Sequence, residues 1–293
     1  MNDKDILQHF IFEHAPVRGE IIRLEKSFRT VMQQHQYPPV IQTILGEMLI
    51  AASLLSGSIK FKGRITVQFQ GKGKLRLLLA QSNDELQLRG FAEWQGELTQ
   101  EELITHLKEG VLVITINPEV DGGQQYQGIV AWQGNSLAHS IEGYFNTSEQ
   151  LPTRVWFAVN DRRAAGFLIQ MMPEESAHSS QLDHWEHITH LTSTLTSNEL
   201  LNLDNEKILH RLYVEEDIRI FSPKPVIFRC TCSQTRSENA LRLLGEMEVE
   251  QELTEKQIII VTCEFCNKEF KFDRIDVARI FKRGNPGSST QVH

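Results

Sequence analysis

Apolar and polar residues alternate through much of the first half of the chain, which is typical of strands that bury one face. Residues 6–14 and 17–24 alternate in this way, and residues 62–94 contain three more such segments separated by turns with Gly, Ser and Asn. Residues 111–134 add two further segments and residues 153–160 add another. The pattern predicts antiparallel strands joined as hairpins and meanders.

Helical spacing interrupts these strands. Residues 38–57 begin with two prolines and end with glycine, and their apolar residues recur every three or four positions. Thr99 and Glu102 have the spacing of a capping box, ahead of a helical pattern that ends at Gly110. Hairpins with interspersed helices predict an α+β fold, with a mixed α/β core domain of antiparallel strands over residues 1–176.

The composition changes in residues 177–229, which are polar and rich in Ser, Thr and His. Seven of the ten residues 189–198 are Thr, Ser or Asn, and each costs roughly 0.5 kcal/mol against Ala in a helix, or about 3 kcal/mol together. A better helix over 205–213 has Asp204 as its expected N-cap. We therefore expect a helical, metastable linker that stays folded only while it is docked. One apolar stripe at helical spacing runs through it: Trp185, Ile188, Leu191 and Leu195.

Residues 230–293 form a third region. Apolar spacing predicts a helix from Ser237, its expected N-cap, to Gly245, and residues 249–257 extend the helical pattern. Residues 258–262 are mostly β-branched and predict a strand. We expect a small C-terminal domain with its own fold.

The distribution of charge bears on possible partners. The net charge is −8, with 16 basic and 20 acidic residues in 1–176, 5 and 8 in 177–229, and 9 and 10 in 230–293. No region has the basic excess that tracks a phosphate backbone, so we expect no nucleic-acid partner. The start of the chain lacks the layout of a secretory signal, and the longest apolar run, residues 48–55, is far shorter than the ~20 residues of a membrane span. We expect a soluble, cytoplasmic protein that does not bind membranes.

All four cysteines lie in the last region. Cys230 and Cys232 form a C-x-C pair, and Cys263 and Cys266 form a C-x-x-C pair 30 residues later. Two close pairs on separate turns can converge on one tetrahedral ion with Zn–S distances of ~2.3 Å. Four thiolates favour zinc over magnesium or calcium. We predict one Zn²⁺ on these four sulfurs, and an iron–sulfur cluster is the alternative that the spacing favours less.

A site with four sulfur ligands leaves no open position, so we expect the zinc to be structural and the protein not to be an enzyme. Structural zinc contributes roughly 10–16 kcal/mol of apparent binding free energy, whereas a whole domain is stable by only ~5–15 kcal/mol. The ion therefore decides whether this region folds. Thiolates are also nucleophiles, and their oxidation to disulfides removes metal ligands. The spacing alone leaves two functions open: a redox switch, or a structural zinc ribbon that serves as an interaction module.

Two other patterns carry less weight. A C-x-x-C pair also occurs in thiol–disulfide exchange enzymes, but there it accompanies a βαβ pattern, whereas here it follows a strand and is matched by a second cysteine pair. His184, His187 and His190 recur at every third position. We interpret these histidines as a solvated helix face rather than a second metal site.

The cysteine pattern, in "RCTC" and "VTCEFCNKEFKFD", resembles that of the heat-shock protein 33 family, which are redox-regulated holdase chaperones that work without ATP. The segments "VRGEIIRL", "GRITVQFQGKGKLRLLLAQ", "LVITINPEVDGGQQYQGIV" and "YFNTSEQLPTR" are also similar to that family. The resemblance extends over essentially the whole chain. One departure precedes Cys263, where "EKQIIIV" lacks the glycines that the family often has. This difference concerns the local turn and not the ligands.

The resemblance implies that the reduced, zinc-bound protein is inactive as a chaperone. Peroxide or hypochlorite, together with unfolding conditions, would form the disulfides Cys230–Cys232 and Cys263–Cys266, release zinc and unfold the C-terminal domain and the linker. The active form, often a homodimer, would bind unfolding client proteins. The weak helical propensity of residues 189–198 agrees with a linker that opens, and the stripe residues from Trp185 to Leu195 are then hypothesised to contact clients.

Overall fold

The computed structural model describes residues 5–58, 62–119, 123–133, 136–173 and 179–282, and for residues 179–182 it describes the backbone alone. The chain divides into two compact units, Met1–Arg229 and Cys230–His293. The expected boundary between core domain and linker, at residues 176 and 177, lies outside the described residues.

The first unit combines two sheets with helices. Its described strands are β1 (Ile6–Phe12), β2 (Val17–Leu24), β3 (Gly63–Gln70), β4 (Leu75–Asn83), β5 (Gln87–Trp94), β6 (Val111–Pro118), β7 (Tyr126–Val130), β8 (Thr153–Val159), β9 (Ala164–Met171), β10 (Ile218–Ile220), β11 (Lys224–Pro225) and β12 (Ile227–Phe228). Its described helices are α1 (Lys26–Met32), α2 (Pro39–Ser58), α3 (Gln100–Glu109), α4 (Leu137–Tyr144), α5 (Ser179–Ser193), α6 (Ser197–Asn202) and α7 (Asn205–Leu212), and a π-helical turn, Phe145–Glu149, follows α4.

Each sheet has six strands. The first has the order β10-β1-β2-β9-β8, with β11 also paired to β1, and the second has the order β12-β5-β4-β3-β6-β7. The pairs are antiparallel except for β12 with β5, which is parallel. The predicted α+β class with antiparallel strands is confirmed.

The central helix α2 packs against strands of both sheets, and most of its residues belong to the main apolar core. Among the described residues it is the one helix long and apolar enough to cross a membrane, with a mean hydropathy of 1.6 over an 18-residue window. However, 72% of that window is buried inside the protein, so the core itself accounts for its apolar surface. The apolar run over residues 48–55, which is too short to span a membrane, is only part of this helix.

Two elements of the first unit carry no clear sequence pattern. The helix α1 is capped from a distance, because the Asp5 carboxylate accepts hydrogen bonds from the backbone N–H groups of Glu25, Lys26 and Ser27 at 2.6, 2.9 and 2.5 Å. The strand β9 is buried along nearly its whole length, since it lies between β2 and β8 with both faces covered. A strand buried on both faces shows no alternation of apolar and polar residues.

The helices α5, α6 and α7 cover the face of the first sheet that points away from the main core, and with it they form a second apolar cluster. The residues with weak helical propensity are placed differently from the expectation. Thr194 and Thr196 lie between α5 and α6, and Thr196 forms a capping box with Glu199 at the start of α6. The free-energy cost of these residues to the helices is therefore smaller than the predicted sum of about 3 kcal/mol, because Thr and Ser are favoured at helix ends.

The second unit consists of α8 (Gln234–Leu244), α9 (Glu246–Lys256), β13 (Ile259–Thr262), β14 (Glu269–Phe272) and α10 (Arg274–Lys282). The predicted N-cap of its first helix is wrong. Ser233 caps α8, and the Ser237 hydroxyl lies one turn further on, where it donates to the Ser233 carbonyl. Gly245 ends the helix as expected, with φ of +97° that glycine adopts without strain. This residue also separates α8 from α9, so the helical pattern is two helices rather than one.

Candidate metal centre

The C-x-x-C pair lies on the turn that connects β13 to β14. The hairpin ends with the pair Thr262 and Glu269, after which the Cys263 N–H donates to the Lys268 carbonyl at 3.0 Å. The Cys263 carbonyl in turn accepts from the backbone of Cys266 and Asn267 at 3.3 and 2.8 Å. Asn267 has φ of +52°, a left-handed conformation that asparagine tolerates better than most residues. This tight turn points both thiols to one side.

The C-x-C pair precedes α8. The Ser233 hydroxyl accepts from the Arg236 N–H at 3.3 Å and begins the helix. The Arg236 guanidinium reaches back and donates to both the carbonyl and the hydroxyl of Thr231, at 2.9 and 2.7 Å. Because Thr231 lies between the two cysteines, these bonds fix the backbone that presents Cys230 and Cys232.

The structure brings all four predicted ligands together. Their Sγ atoms lie within 4.8 Å of one another, and the distances Cys230–Cys263 and Cys232–Cys266 are 3.6 and 3.5 Å. None of the four thiols is in a disulfide, and all are partly buried. Bonds of ~2.3 Å to the corners of a tetrahedron give S–S separations of about 3.8 Å. The donor set and its dimensions therefore fit one tetrahedrally coordinated metal ion.

The thiols strongly influence one another. Burial raises the pKa of Cys232, and its hydrogen bonds with Cys266 and Cys230 act in the same direction. Burial likewise raises the pKa of Cys263. Burial opposes the change at Cys230, but hydrogen bonds from the Cys232 backbone and from the neighbouring thiols lower the pKa of Cys230. One sulfur thus accepts hydrogen bonds from the others, an arrangement in which a cation takes the place of the shared protons.

The core that supports this site is small. Eight buried apolar residues form it among the described part of the second unit: Leu241, Val249, Leu253, Ile259, Phe270, Phe272, Val277 and Ile280. Cys232 packs against this cluster, so the site and the core are continuous. So few side chains contribute little hydrophobic stability to the unit, and a metal ion on the four sulfurs would add to it.

Within the described ranges, the four cysteines are the one group of three or more potential ligands close enough to hold an ion. His184, His187 and His190 are exposed on α5. His187 lies 3.3 Å from the carboxylate of Glu216. The interpretation of these histidines as a solvated face is confirmed.

A second notable feature is the apolar face of the first sheet beneath α5, α6 and α7. Phe10, Phe12 and Phe167 lie on this face, which we call the covered face, and Ile188 and Leu195 from the linker pack onto it. Trp185 and Leu191 are partly buried against the same cluster. The sequence identified the linker side of this contact but not the sheet side. The signal was present in β1, where both alternating sets of residues are largely apolar.

Three polar contacts stabilise the linker helices over the covered face, one within the linker and two between the first sheet region and the end of α6. The hydroxyls of Thr192 and Tyr213 are 2.5 Å apart, and both residues are buried. Burial raises the pKa of Tyr213, so its hydroxyl keeps its proton and can donate. At the end of α6, the guanidinium of Arg163 donates to the Leu201 carbonyl at 3.0 Å, and that of Arg23 donates to the Leu203 carbonyl. Cations at the C-terminus of a helix are favoured by its dipole.

Comparison with known proteins places the chain among chaperones. The family model described as "Hsp33 protein" matches residues 5–273. A protein named 33 kDa chaperonin from Shewanella sp. (strain ANA-3) is 44% identical over 289 residues, which are 98% of this chain and 99% of that protein. A protein of the same name from Shewanella oneidensis is 42% identical over 289 residues, with the same coverage.

A solved structure gives the same fold. The 33 kDa chaperonin (heat shock protein 33 homolog) from Thermotoga maritima superposes with a TM-score of 0.80 and covers 96% of this chain and 99% of that one. The identity is 22%, so this likeness concerns the fold. The names of the relatives do not belong to an enzyme class. The match over nearly the whole chain, together with the four converging cysteines, shows that this chain belongs to the Hsp33 family of chaperones.

Proposed function

We propose that the protein is a redox-regulated, ATP-independent holdase that captures unfolding proteins during oxidative stress and has no enzymatic activity. The observation that carries this proposal is the cluster of four reduced thiols within 4.8 Å in a unit with an eight-residue apolar core. A metal ion and an oxidant compete for these sulfurs. The outcome of that competition decides whether the second unit is folded.

In the reduced state, Cys230, Cys232, Cys263 and Cys266 would hold one Zn²⁺. When bound, the ion crosslinks the turn after β13 to the segment before α8, and no position is left for substrate or water. The apparent binding free energy of a structural zinc, roughly 10–16 kcal/mol, equals or exceeds the stability of a whole domain. The fold of residues 230–293 then depends on the four sulfurs remaining thiolates.

Oxidation removes the ligands in pairs. Two thiolates give up two electrons and form one S–S bond, and one hydrogen peroxide takes up these electrons and two protons, breaks its O–O bond and becomes two waters. Two peroxides thus convert the four ligands into two disulfides. We propose the pairs Cys230–Cys232 and Cys263–Cys266. The disulfide sulfurs no longer bind the ion, so the metal and the stability that it supplies are lost together.

Loss of the second unit would then destabilise the linker. The helices α5, α6 and α7 are short, and their apolar side chains are buried only through contact with the covered face. Their release exposes Phe10, Phe12 and Phe167 on the sheet and the stripe from Trp185 to Leu195 on the linker. A large apolar surface of this kind binds the apolar segments that unfolding proteins expose.

The partners follow from the same surface. We propose unfolded or partly unfolded proteins as clients and a homodimer as the oxidised form, in the cytoplasm. Nucleic acid is not proposed as a partner, because residues 230–293 carry 9 basic and 10 acidic residues. A membrane is not proposed either, because α2 is buried within the core.

The decisive experiment follows metal, thiols and chaperone activity in one sample. Reduced protein should contain four free thiols and one zinc, and peroxide treatment at elevated temperature should leave neither. Suppression of light scattering by a thermally unfolding client should appear in step with zinc release to a chromogenic chelator, and a reductant with added zinc should reverse it. Activity that is constitutive, or insensitive to oxidant while zinc is retained, would instead indicate the structural zinc ribbon.

The disulfide pairing has a direct test. Trypsin cleaves after Arg229, Arg236, Lys256 and Lys268, so each cysteine pair lies in its own peptide. The proposed pairing predicts two separate peptides, each lighter by two hydrogens. A single linked species containing both peptides would show pairing across the two turns.

A further inference from the structure

Six residues at the end of the first unit cross from one sheet to the other. We call residues 224–229 the strap. Its first part, β11, pairs with β1 through Lys224 and Pro225, and its second part, β12, pairs in parallel with β5 through Ile227 and Phe228. The strap is thus the outermost strand of the second sheet, and β5 is the strand that it covers.

Backbone hydrogen bonds join the strap to β5, and the side chains of Val226 and Phe228 pack against the main apolar core. The N–H groups of Ile227 and Arg229 donate to the carbonyls of Leu86 and Leu88 at 3.1 and 2.9 Å. Strand alternation turns the N–H of Phe228 away from β5. The Val226 side chain is buried, whereas Ile227 is 46% exposed. The backbone part of this contact depends little on the sequence of the covering strand.

The strap packs incompletely. A groove of about 720 Å³ runs along it, with Ile6, Lys26 and Thr30 on one wall and Pro225, Ile227 and Phe228 of the strap on the other. Side chains that border a groove lose contacts on one side, so the strap is held less firmly than a core strand. At its end it continues directly into Cys230, the first of the four thiols.

We propose that the β5 edge at residues 86–88 is a strand-addition site for an extended, apolar segment of an unfolded polypeptide, and that residues 226–229 occupy this site while the protein is reduced. The inference rests on the proposed function, because the strap loses its anchor at Cys230 only when the second unit unfolds. The freed edge then presents the carbonyls of Leu86 and Leu88 for pairing, and the groove beside it accepts side chains.

The chemistry of the edge favours an unfolded segment over a folded partner. A sheet edge recognises main-chain N–H and C=O groups, which every extended polypeptide carries and a folded protein has already paired. The strap's own Val-Ile-Phe sequence shows that apolar and aromatic side chains fit alongside. Clients of a holdase share an exposed backbone and apolar side chains rather than a sequence, and this site recognises those two properties.

The test uses the full-length protein and a fluorescent nine-residue peptide with the sequence of residues 221–229. The peptide should bind the oxidised protein and not the reduced protein, whose own strap occupies the edge. N-methylation at the positions of Ile227 and Arg229 removes the two donors that face β5 and should weaken binding by about tenfold or more. N-methylation at the Phe228 position is the matched control and should change binding by less than about threefold, since that N–H points away.

Competition identifies the occupant. Excess unmodified peptide should lower the amount of thermally unfolding client that the oxidised protein captures, and the doubly methylated peptide should not. A peptide that separates an oxidised dimer without reducing client capture would assign the edge to a second copy of the chain and overturn the inference. Equal binding of the two methylated forms, or equal binding to reduced and oxidised protein, would overturn it as well.

The two proposals fail in different ways. If oxidised protein releases zinc and suppresses aggregation but does not bind the peptide, the strand-addition site is wrong and the redox switch stands. If oxidised protein keeps its zinc and does not suppress aggregation, the proposed function is wrong, and this inference falls with it.

Discussion

At the scale of single residues, the pKa values of several ionisable side chains are shifted. Those of Cys230, Cys232 and Cys263 are shifted by burial and by hydrogen bonds among the thiols, whereas that of Glu47 is shifted by burial alone. Glu47 lies on α2 beside a cavity of about 60 Å³ that is lined mainly by apolar side chains, with Thr43, Gln100, Ser136 and Trp132, whose indole nitrogen is buried. Burial raises the pKa of Glu47 from 4.5 to about 7. None of the other residues lining this cavity is charged.

The raised pKa predicts how stability depends on pH. The folded state holds the Glu47 proton more tightly than the unfolded state, so the protein loses stability as the pH rises from 4.5 through about 7. Glu47→Gln should remove this loss and stabilise the protein at pH 8 by up to about 3 kcal/mol, with little change at pH 4. Urea unfolding of the reduced protein at both pH values measures the effect. Glu97→Gln, at an exposed position, is the control, and an equal gain at both pH values would contradict the assignment.

Each cysteine should be indispensable to the second unit. Cys263→Ser leaves three sulfur ligands and should lower metal affinity by more than about 100-fold, beyond the 10–100-fold cost of losing an outer-shell partner. Residues 230–293 should then lose their fold even without oxidant, as measured by zinc content and by amide exchange. Thr262→Ser, at the exposed neighbouring position, keeps all four thiols and should behave like the wild type. A Cys263→Ser protein with stoichiometric zinc would contradict the site.

At the scale of elements, the linker helices are attached to the first sheet by packing and by few polar contacts. The Tyr213 ring packs edge-on against the Phe12 ring, with centroids 4.9 Å apart. The Tyr213 hydroxyl forms a hydrogen bond with the Thr192 hydroxyl. The Thr192 hydroxyl also donates to the Ile188 carbonyl within α5, at 2.6 Å. One buried contact therefore joins α5 to the end of α7 over the covered face.

A double-mutant cycle measures what this contact contributes. Tyr213→Phe keeps the ring and removes the hydrogen bond between the two hydroxyls, while Thr192 still donates to the Ile188 carbonyl, so the linker helices should lose about 1 kcal/mol of stability. Combining it with Thr192→Val removes both hydroxyls and should cost less than the sum of the single changes. Amide exchange in residues 185–193 of the reduced protein reports the opening, which should become more frequent in Tyr213→Phe. Additive effects would show that the two hydroxyls act independently.

The sequence revealed those elements whose cause is local. The strands β3 to β6 alternate because one face of each is mainly apolar, and the capping box of α3 lies within four residues, so both were predictable and are found. The helix α1 depends on Asp5, some 20 residues before it, and β9 depends on its neighbours on both sides. Contacts with residues so distant in the sequence leave no pattern within the helix or the strand itself. The N-cap of α8 was misplaced because Ser233 and Ser237 are both serines one turn apart.

The candidate metal site was predictable for a different reason. Cysteines are rare in this chain, and their clustering in two close pairs signals a shared task before any geometry is known. The covered face was not predictable in the same way. Its residues are ordinary apolar side chains, and only the structure separates Phe10 and Phe12 from Leu7, which points into the main core.

At the scale of the whole molecule, the two units depend on different forces. The first contains apolar clusters of 38 and 17 buried residues among those described, and the second contains a cluster of eight. Hydrophobic burial can sustain the first unit alone. We expect the second unit, with its smaller cluster, to depend also on a metal ion bound by its thiols.

Metal removal without oxidant should separate the two parts. A strong chelator under reducing conditions should unfold the second unit and leave the sheets of the first intact. Methyl resonances of Val249, Leu253 and Ile280 should lose their dispersion, while those of Leu45 and Leu78 should keep theirs. Added zinc should restore the lost signals. Simultaneous collapse of both sets would show that the two units are not independently stable.

The last residue of the first unit, Arg229, is followed at once by Cys230, with no spacer between them. Short chain segments rearrange in well under a millisecond, whereas disulfides form over seconds or longer. If the proposed redox switch operates, its response time is therefore set by reactions at sulfur and not by relaxation of the polypeptide. At a fixed elevated temperature, doubling the peroxide concentration should then double the rate of zinc release.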